Sequence, residues 1–255
     1  MAIGKVIGGL YHSLFYEFYE LFHNRLKRYD DDWDFELFLQ IPNLTKVDIL
    51  EFFEETILNL ATEPFGEDDG VMELDSSFFT YLLDNNNIME DNSVNPTYIS
   101  EYINIVGQLF LAGYIDFGLC GLQDKEENLL SRQRDIYQAW IHFRDNFFYT
   151  GAYNKGYDED IMIYEGKEYS VQDCPRYINK DGDSVLCGHS TMFSDTSWDT
   201  PKYWSQYNIW VARTPKGDEY FKKVLAPRFY NKYKDLEVEI DDKGNVIRWI
   251  GQINR

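Results

Sequence analysis

Cysteine and histidine come closest together at Cys174 and at Cys187-Gly188-His189, with Asp173 and Asp195 nearby. Two chemistries use such residues. A structural zinc site takes four ligands, usually with a close pair of cysteines at one end. Here the close pair is Cys187/His189, and Cys174 has no cysteine or histidine beside it. The spacing therefore predicts no bound metal and a buried, free Cys174. A thiol nucleophile would need a base within hydrogen-bond reach and a third group orienting that base. Cys187 and His189, two residues apart, would point the same way on a strand, and His142 is a more distant base. No Gly-x-Ser-x-Gly or Cys-Gly elbow accompanies them. A metal-assisted enzyme around Cys174, Cys187 and His189 stands as an alternative reading only.

Other chemistries fail on single residues. Asp84–Asn92 has the composition of a calcium loop, but Met89 occupies the position where the turn needs glycine. The chain has no Gly-x-Gly-x-x-Gly, no Walker A motif and no His-Glu-x-x-His. No cofactor is expected, and no catalytic residue is assigned.

Carboxylates are the group in excess. There are 44 Asp and Glu against 24 Lys and Arg, a net charge of -20. Residues 1–200 hold 37 acids and 13 bases, and residues 201–255 hold 7 and 11. So negative a chain repels nucleic-acid phosphates and anionic membranes and favours cationic partners. Three acidic clusters fall in the first seventy residues: Asp30, Asp31, Asp32 and Asp34 around Trp33; Glu51, Glu54 and Glu55; and Glu67, Asp68 and Asp69. Interleaved with Trp33, Phe35 and Phe65, they fit an interaction face on which carboxylates steer a basic protein and aromatic rings anchor it.

The elements that must carry these residues follow from periodicity. Residues 8–29 predict an amphipathic helix. Thr45 with Asp48 predicts a capped helix through Leu60, with Glu51, Glu54 and Glu55 on its outer surface. Asn95-Pro96 opens a helix that Gly113 ends, and Ile115, Phe117 and Leu119 then alternate as a half-buried strand. Further helices are expected over Ser76–Leu83, Glu127–Phe143 and Lys216–Leu225. Residues 149–206 read as an irregular β-rich insertion with strands at Ile161–Tyr164 and Ser184–Leu186, and another strand is expected over Tyr207–Arg213. Leu236–Ile253 reads as a β-hairpin turning at Asp241–Asn245. The class is α+β, with a helical N-terminal half, a β-rich insertion and a C-terminal hairpin. The expected division is a mainly helical acidic domain over 1–145 and a β-rich region with a helix and the C-terminal hairpin over 146–255, with packing of the two as one unit left open. Three cysteines (Cys120, Cys174, Cys187) make no disulfide framework. No run approaches the roughly 18 apolar residues of a membrane span, so a cytoplasmic protein is expected.

Two patches, Ala112-Gly113-Tyr114-Ile115-Asp116 and Trp210-Val211-Ala212-Arg213-Thr214-Pro215-Lys216-Gly217, resemble elements of a winged-helix domain. The resemblance implies a recognition helix ending at Gly113 and a second wing strand leading into a Thr-Pro-Lys-Gly helix start. It would put some ninety residues inside the wing, far beyond ordinary loop lengths. The helix it would send into the major groove, Thr97–Ala112, has no Lys or Arg and carries Glu101. DNA readout depends on such cations, so direct nucleic-acid binding is not expected. The reading that remains is a non-enzymatic binding or inhibitor protein, immunity- or antitoxin-like, with a basic protein as partner. The alternative is a phage-type nucleic-acid mimic that antagonises a defence protein.

Overall fold

The computed structural model describes residues 1–12, 14–21, 33–61, 96–119 and 128–255. The order begins β1 (Ala2–Lys5), α1 (Tyr16–Leu21), α2 (Trp33–Phe38), α3 (Lys46–Leu60), α4 (Pro96–Leu111) and β2 (Ile115–Leu119). It continues with α5 (Ile136–Phe147), β3 (Ile161–Tyr164), β4 (Lys167–Ser170), β5 (Arg176–Ile178), β6 (Ser184–Leu186) and β7 (His189–Ser190). Last come α6 (Thr191–Ser194), β8 (Ile209–Arg213), α7 (Pro215–Tyr220), α8 (Ala226–Tyr233), β9 (Glu237–Ile240) and β10 (Val246–Ile250). The class is α+β, with small antiparallel sheets in the orders β1-β9-β10, β2-β8, β4-β3-β7 and β5-β6. Among the described residues no helix is long and apolar enough to cross a membrane. The helix expected over Ser76–Leu83 lies outside the described residues.

Two compact units divide the chain: Met1–Leu60 with Pro215–Arg255, and Ala61–Thr214. This line differs from the boundary expected at 145/146, because the two ends of the chain meet in one sheet. β1 pairs with β9 from Ala2 opposite Ile240 to Lys5 opposite Glu237, and β10 covers the other edge of β9. Val238 and Ile240 are fully buried, and their sheet shares a unit with the rings of Phe35, Phe38, Phe52 and Phe53 from α2 and α3.

The helix expected over residues 8–29 starts only at Tyr16. Residues before it make strand β1 and a tight reversal, closed by the Ile7–Leu14 bridge and by Phe15 N–H donating to the Val6 carbonyl. Thr45 and Asp48 do cap α3. Thr45 N–H donates to Asp48 Oδ2 (2.7 Å) and Asp48 N–H donates back to Thr45 Oγ1 (3.4 Å), the reciprocal arrangement of a capping box, while the Thr45 hydroxyl also donates to Asp48 Oδ2 (2.6 Å). The helix opened by Pro215 does not end at Leu225. It widens into a π-turn over Phe221–Leu225 and runs on as α8. Pro227 cannot donate to a carbonyl of the preceding turn, and the wider turn just before it absorbs that gap. The expected hairpin is present, its turn held by Asp241 Oδ1 accepting from Lys243 N–H and Asn245 N–H, each at 2.8 Å.

In the second unit α4 ends as the glycine predicts. Gly113 has φ 73°, its N–H donates to the Phe110 carbonyl, and Tyr114 N–H donates to Leu109, which is a Schellman closure. β2 pairs with β8 from Ile115 opposite Arg213 to Leu119 opposite Ile209. The two winged-helix-like patches are thus ladder partners. β2 is buried along its whole length, not on one face. Asp116, expected outside, accepts from Ser131 N–H (3.1 Å) and Ser131 Oγ, which fastens the 3-10 turn Leu130–Arg132 onto the strand. The helix expected from Glu127 therefore begins at Ile136, where Asp135 accepts from Tyr137 N–H and Gln138 N–H.

Aromatic rings fill this unit's core. Phe143 lies 4.6 Å from Phe117, 5.0 Å from Phe147 and 5.8 Å from Trp204, centroid to centroid. Two tryptophans press on glycines. A Cβ on Gly107 of α4 would lie 2.5 Å from the Trp140 ring, and one on Gly118 would lie 2.1 Å from Trp210. Gly107→Ala gains about 1 kcal/mol of helix propensity but forces the buried Trp140 to move. We expect a net loss of about 1–2 kcal/mol in urea unfolding.

Candidate functional site

The carboxylates of α3 are not an outer surface. Asp48 is 0%, Glu51 9% and Glu55 5% exposed, so Glu51 and Glu55, expected on the helix exterior, are inside the first unit. Acids spaced by three residues (Asp48, Glu51, Glu54) share one face of α3. Cations spaced by four (Arg228, Lys232) share one face of α8. Facing each other, they form an alternating ladder. Tyr220 Oη donates to Glu54 (2.8 Å), and Arg228 reaches Glu54 (3.3 Å) and Glu51 (2.6 Å). Lys232 binds Glu51 and Asp48, the latter at 2.5 Å. Arg255 then closes the row with a two-pronged grip on Asp48 (3.0 and 2.9 Å) and a bond to the Asn43 carbonyl.

Burial alone would raise the Asp48 pKa. Hydrogen bonds from Arg255, Lys232 and Thr45 outweigh it and hold the carboxyl well below its usual range. Burial, together with the bond to Glu54, pushes Tyr220 up to about 12. Glu55 has no such help, and desolvation pushes it up to about 8.

Of the other expected contact residues, Asp30, Asp31, Asp32, Glu67, Asp68 and Asp69 lie outside the described residues. So do the side chains of Trp33 and Asp34, whose backbone opens α2. The structure therefore brings Glu51 and Glu55 onto one helix without making them a surface.

Cys174 is buried and free, its sulfur 3.1 Å from where a Cβ on Gly188 would stand. Asp173 is held within its own turn by Ser170 Oγ (2.8 Å). His189 pairs with Asp195 (3.0 Å), which also accepts from Ser194 Oγ (2.7 Å). His142 bonds the Trp198 carbonyl and Asn146. Asp173, His189 and His142 thus each have a local structural partner. Among the described residues no three His, Cys, Asp or Glu side chains gather so as to hold a metal ion. Cys120 lies outside the described residues.

A cavity of about 200 Å³ in the first unit is lined by Pro42, Asn43, Leu236, Trp249, Gln252 and Arg255, among others. Its guanidinium is already engaged by Asp48 and Asn43. Exposed aromatic side chains include Tyr11, Tyr16, Tyr137, Tyr149, Tyr157 and Tyr177. Tyr157 is ordered by a stack on Tyr207, with centroids 3.9 Å apart and 28° between planes. The ladder's cations escaped sequence reasoning, although their i, i+4 spacing puts them on one helix face, as the i, i+3 spacing does the acids of α3. Nothing in the sequence pairs Tyr157 with Tyr207.

Comparison with protein-family models, with curated proteins and with solved structures gave no match.

Asp48→Ala would leave Lys232, 15% exposed, paired with Glu51 alone, would release Arg255 and would remove one arm of the capping box. Losing one partner of such a buried cluster costs about 3 kcal/mol, against about 1 kcal/mol for Thr45→Ala, and urea unfolding of both variants checks that order. Glu55 carries the opposite sign. Its folded pKa lies above the unfolded value, so stability falls as pH rises from the unfolded pKa toward 8. Glu55→Gln should therefore stabilise the chain, and by about 2–3 kcal/mol more at pH 7.5 than at pH 5.5. Equal gains at the two pH values would refute a buried, neutral Glu55.

Proposed function

We propose that the protein is a non-enzymatic binding protein that captures a basic protein, in the manner of an immunity protein or antitoxin occupying a toxin's cationic cleft. The observation that carries this reading is where the chain's cations go. Arg228, Lys232 and Arg255 are engaged inside the first unit by Asp48, Glu51 and Glu54. Each such pair removes one acid and one base, so the excess of 44 acids over 24 bases persists. That surplus can only be matched by an external cation, and it steers a basic partner before contact. Glu51 and Glu55 are withdrawn from the binding face by their burial. Asp30, Asp31, Asp32, Trp33, Asp34, Glu67, Asp68 and Asp69 keep their place in the proposal on sequence grounds. The metal-assisted alternative around Cys174, Cys187 and His189 gains no added support: His189 is engaged by Asp195, and among the described residues no three such side chains gather.

The test is reconstitution. A basic protein co-purifying with this chain in its host should form a stoichiometric complex from purified components. Its affinity should fall by about tenfold or more between 50 and 500 mM salt, because exposed charge pairs are screened. A toxin as partner fits the first reading, and a nucleic-acid-binding defence protein moves the assignment to the nucleic-acid mimic. Absence of any stoichiometric complex at low salt refutes both.

A further inference from the structure

The turn Tyr157–Glu159 in the second unit puts an aromatic ring and two exposed carboxylates on consecutive residues. We propose that this turn, with Tyr207 stacked beneath it, is a seat for an arginine side chain of the basic partner. The inference rests on the capture reading above and names the side chain that one part of the surface is built to take.

Three features support it. The ring is held ready. Tyr157 is 56% exposed, yet one face lies on half-buried Tyr207, leaving the other to solvent. Tyr207 sits within a hydrogen-bonded corner in which Asn208 Oδ1 accepts from Ser205 N–H (2.9 Å) and Asn208 Nδ2 donates to the Met192 and Tyr203 carbonyls. The backbone of the turn is fixed as well. Glu159 N–H donates to Gly156, Asp160 N–H to Tyr157, and Gln172 Nε2 to the Asp158 carbonyl. Asp160 is itself held by the hydroxyls of Ser190 and Thr191. A ring ordered in advance loses little conformational freedom on binding.

The charge selects the ligand. Lys155 faces Asp160 and Glu159 while its ammonium donates to the Lys202 carbonyl (2.8 Å), so part of the Glu159 charge is offset locally. Asp158 is exposed, and among the described residues no ion pair engages it. Carboxylates beside an open ring repel phosphate and attract a cation. A guanidinium can stack flat on the ring while its N–H groups reach the carboxylates; a lysine ammonium presents only a point charge.

The full-length protein would be titrated calorimetrically at 50 mM salt with an arginine–glycine repeat peptide and with its lysine–glycine counterpart. The arginine peptide should bind several-fold more tightly. Tyr157→Ala should weaken it by about three- to tenfold, Tyr157→Phe should retain binding, and Asp158→Asn should lose affinity most at low salt. Unchanged melting temperatures establish that the variants are folded. If Tyr157→Ala and Asp158→Asn bind the arginine peptide as the wild type does, this seat is refuted while electrostatic capture stands. If neither peptide nor any basic protein binds, the seat and the capture reading both fall.

Discussion

Asp48 is the point on which the first unit depends. One carboxylate closes the cap of α3, accepts from Lys232 on α8 and takes both arms of Arg255. It has no exposure to water, so these donors are its only solvation. A carboxylate removed from water to that degree costs several kcal/mol unless every lone pair is satisfied, and here cations and hydroxyl together saturate it. The same bonds fix the chain's order in space. The residues just after Pro42 and the last residue of the chain are joined at one group, two hundred positions apart. Glu55, one turn beyond Glu51 on the same helix, shows what happens without a cation. It keeps its place by giving up its charge.

That long-range pairing is also where sequence reading stops. The Thr45 cap, the Gly113 closure and the Asp241–Asn245 turn were legible because each is decided within five or six residues. A cap needs one oxygen at one spacing, and a left-handed closure needs a residue without a Cβ. The burial of Glu51 and Glu55 was not legible, because acids at that spacing also describe a solvated face. Only the arrival of Arg228 and Lys232 from far along the chain covers Glu51, and Glu55 is buried without their help. β1 escaped for a similar reason: four residues, two of them small or glycine, carry no usable alternation until β9 supplies the partner.

The second unit repeats the lesson with packing instead of charge. Alternation in β2 suggested one wet face, yet Ser131 fastens Asp116 and Trp210 closes over Gly118. Glycine there serves close approach, since the indole occupies the volume of the missing Cβ. Of the groups that looked most like chemistry by spacing, His189 and His142 are held by local hydrogen bonds, and Cys174 and Cys187 are free thiols. Of the candidate site, the sequence made visible the excess of carboxylates but not which of them are free to act.

The distinction between paired and free carboxylates also separates stability from recognition. Lys232 and Asp48, 15% and 0% exposed, sit where mobile ions scarcely reach, so salt that screens a surface contact leaves their attraction largely intact. Exposed acids such as Asp158 lie on the other side of that divide. Salt that screens those exposed acids leaves the joint between α3 and α8 in place. The fold therefore divides its negative charge by solvation. Buried Asp48 and Glu51 are matched by Lys232 and tie α3 to α8, and buried Glu55 is pushed toward its neutral form. The exposed acids, some paired on the surface such as Glu219, are the ones whose field salt screens.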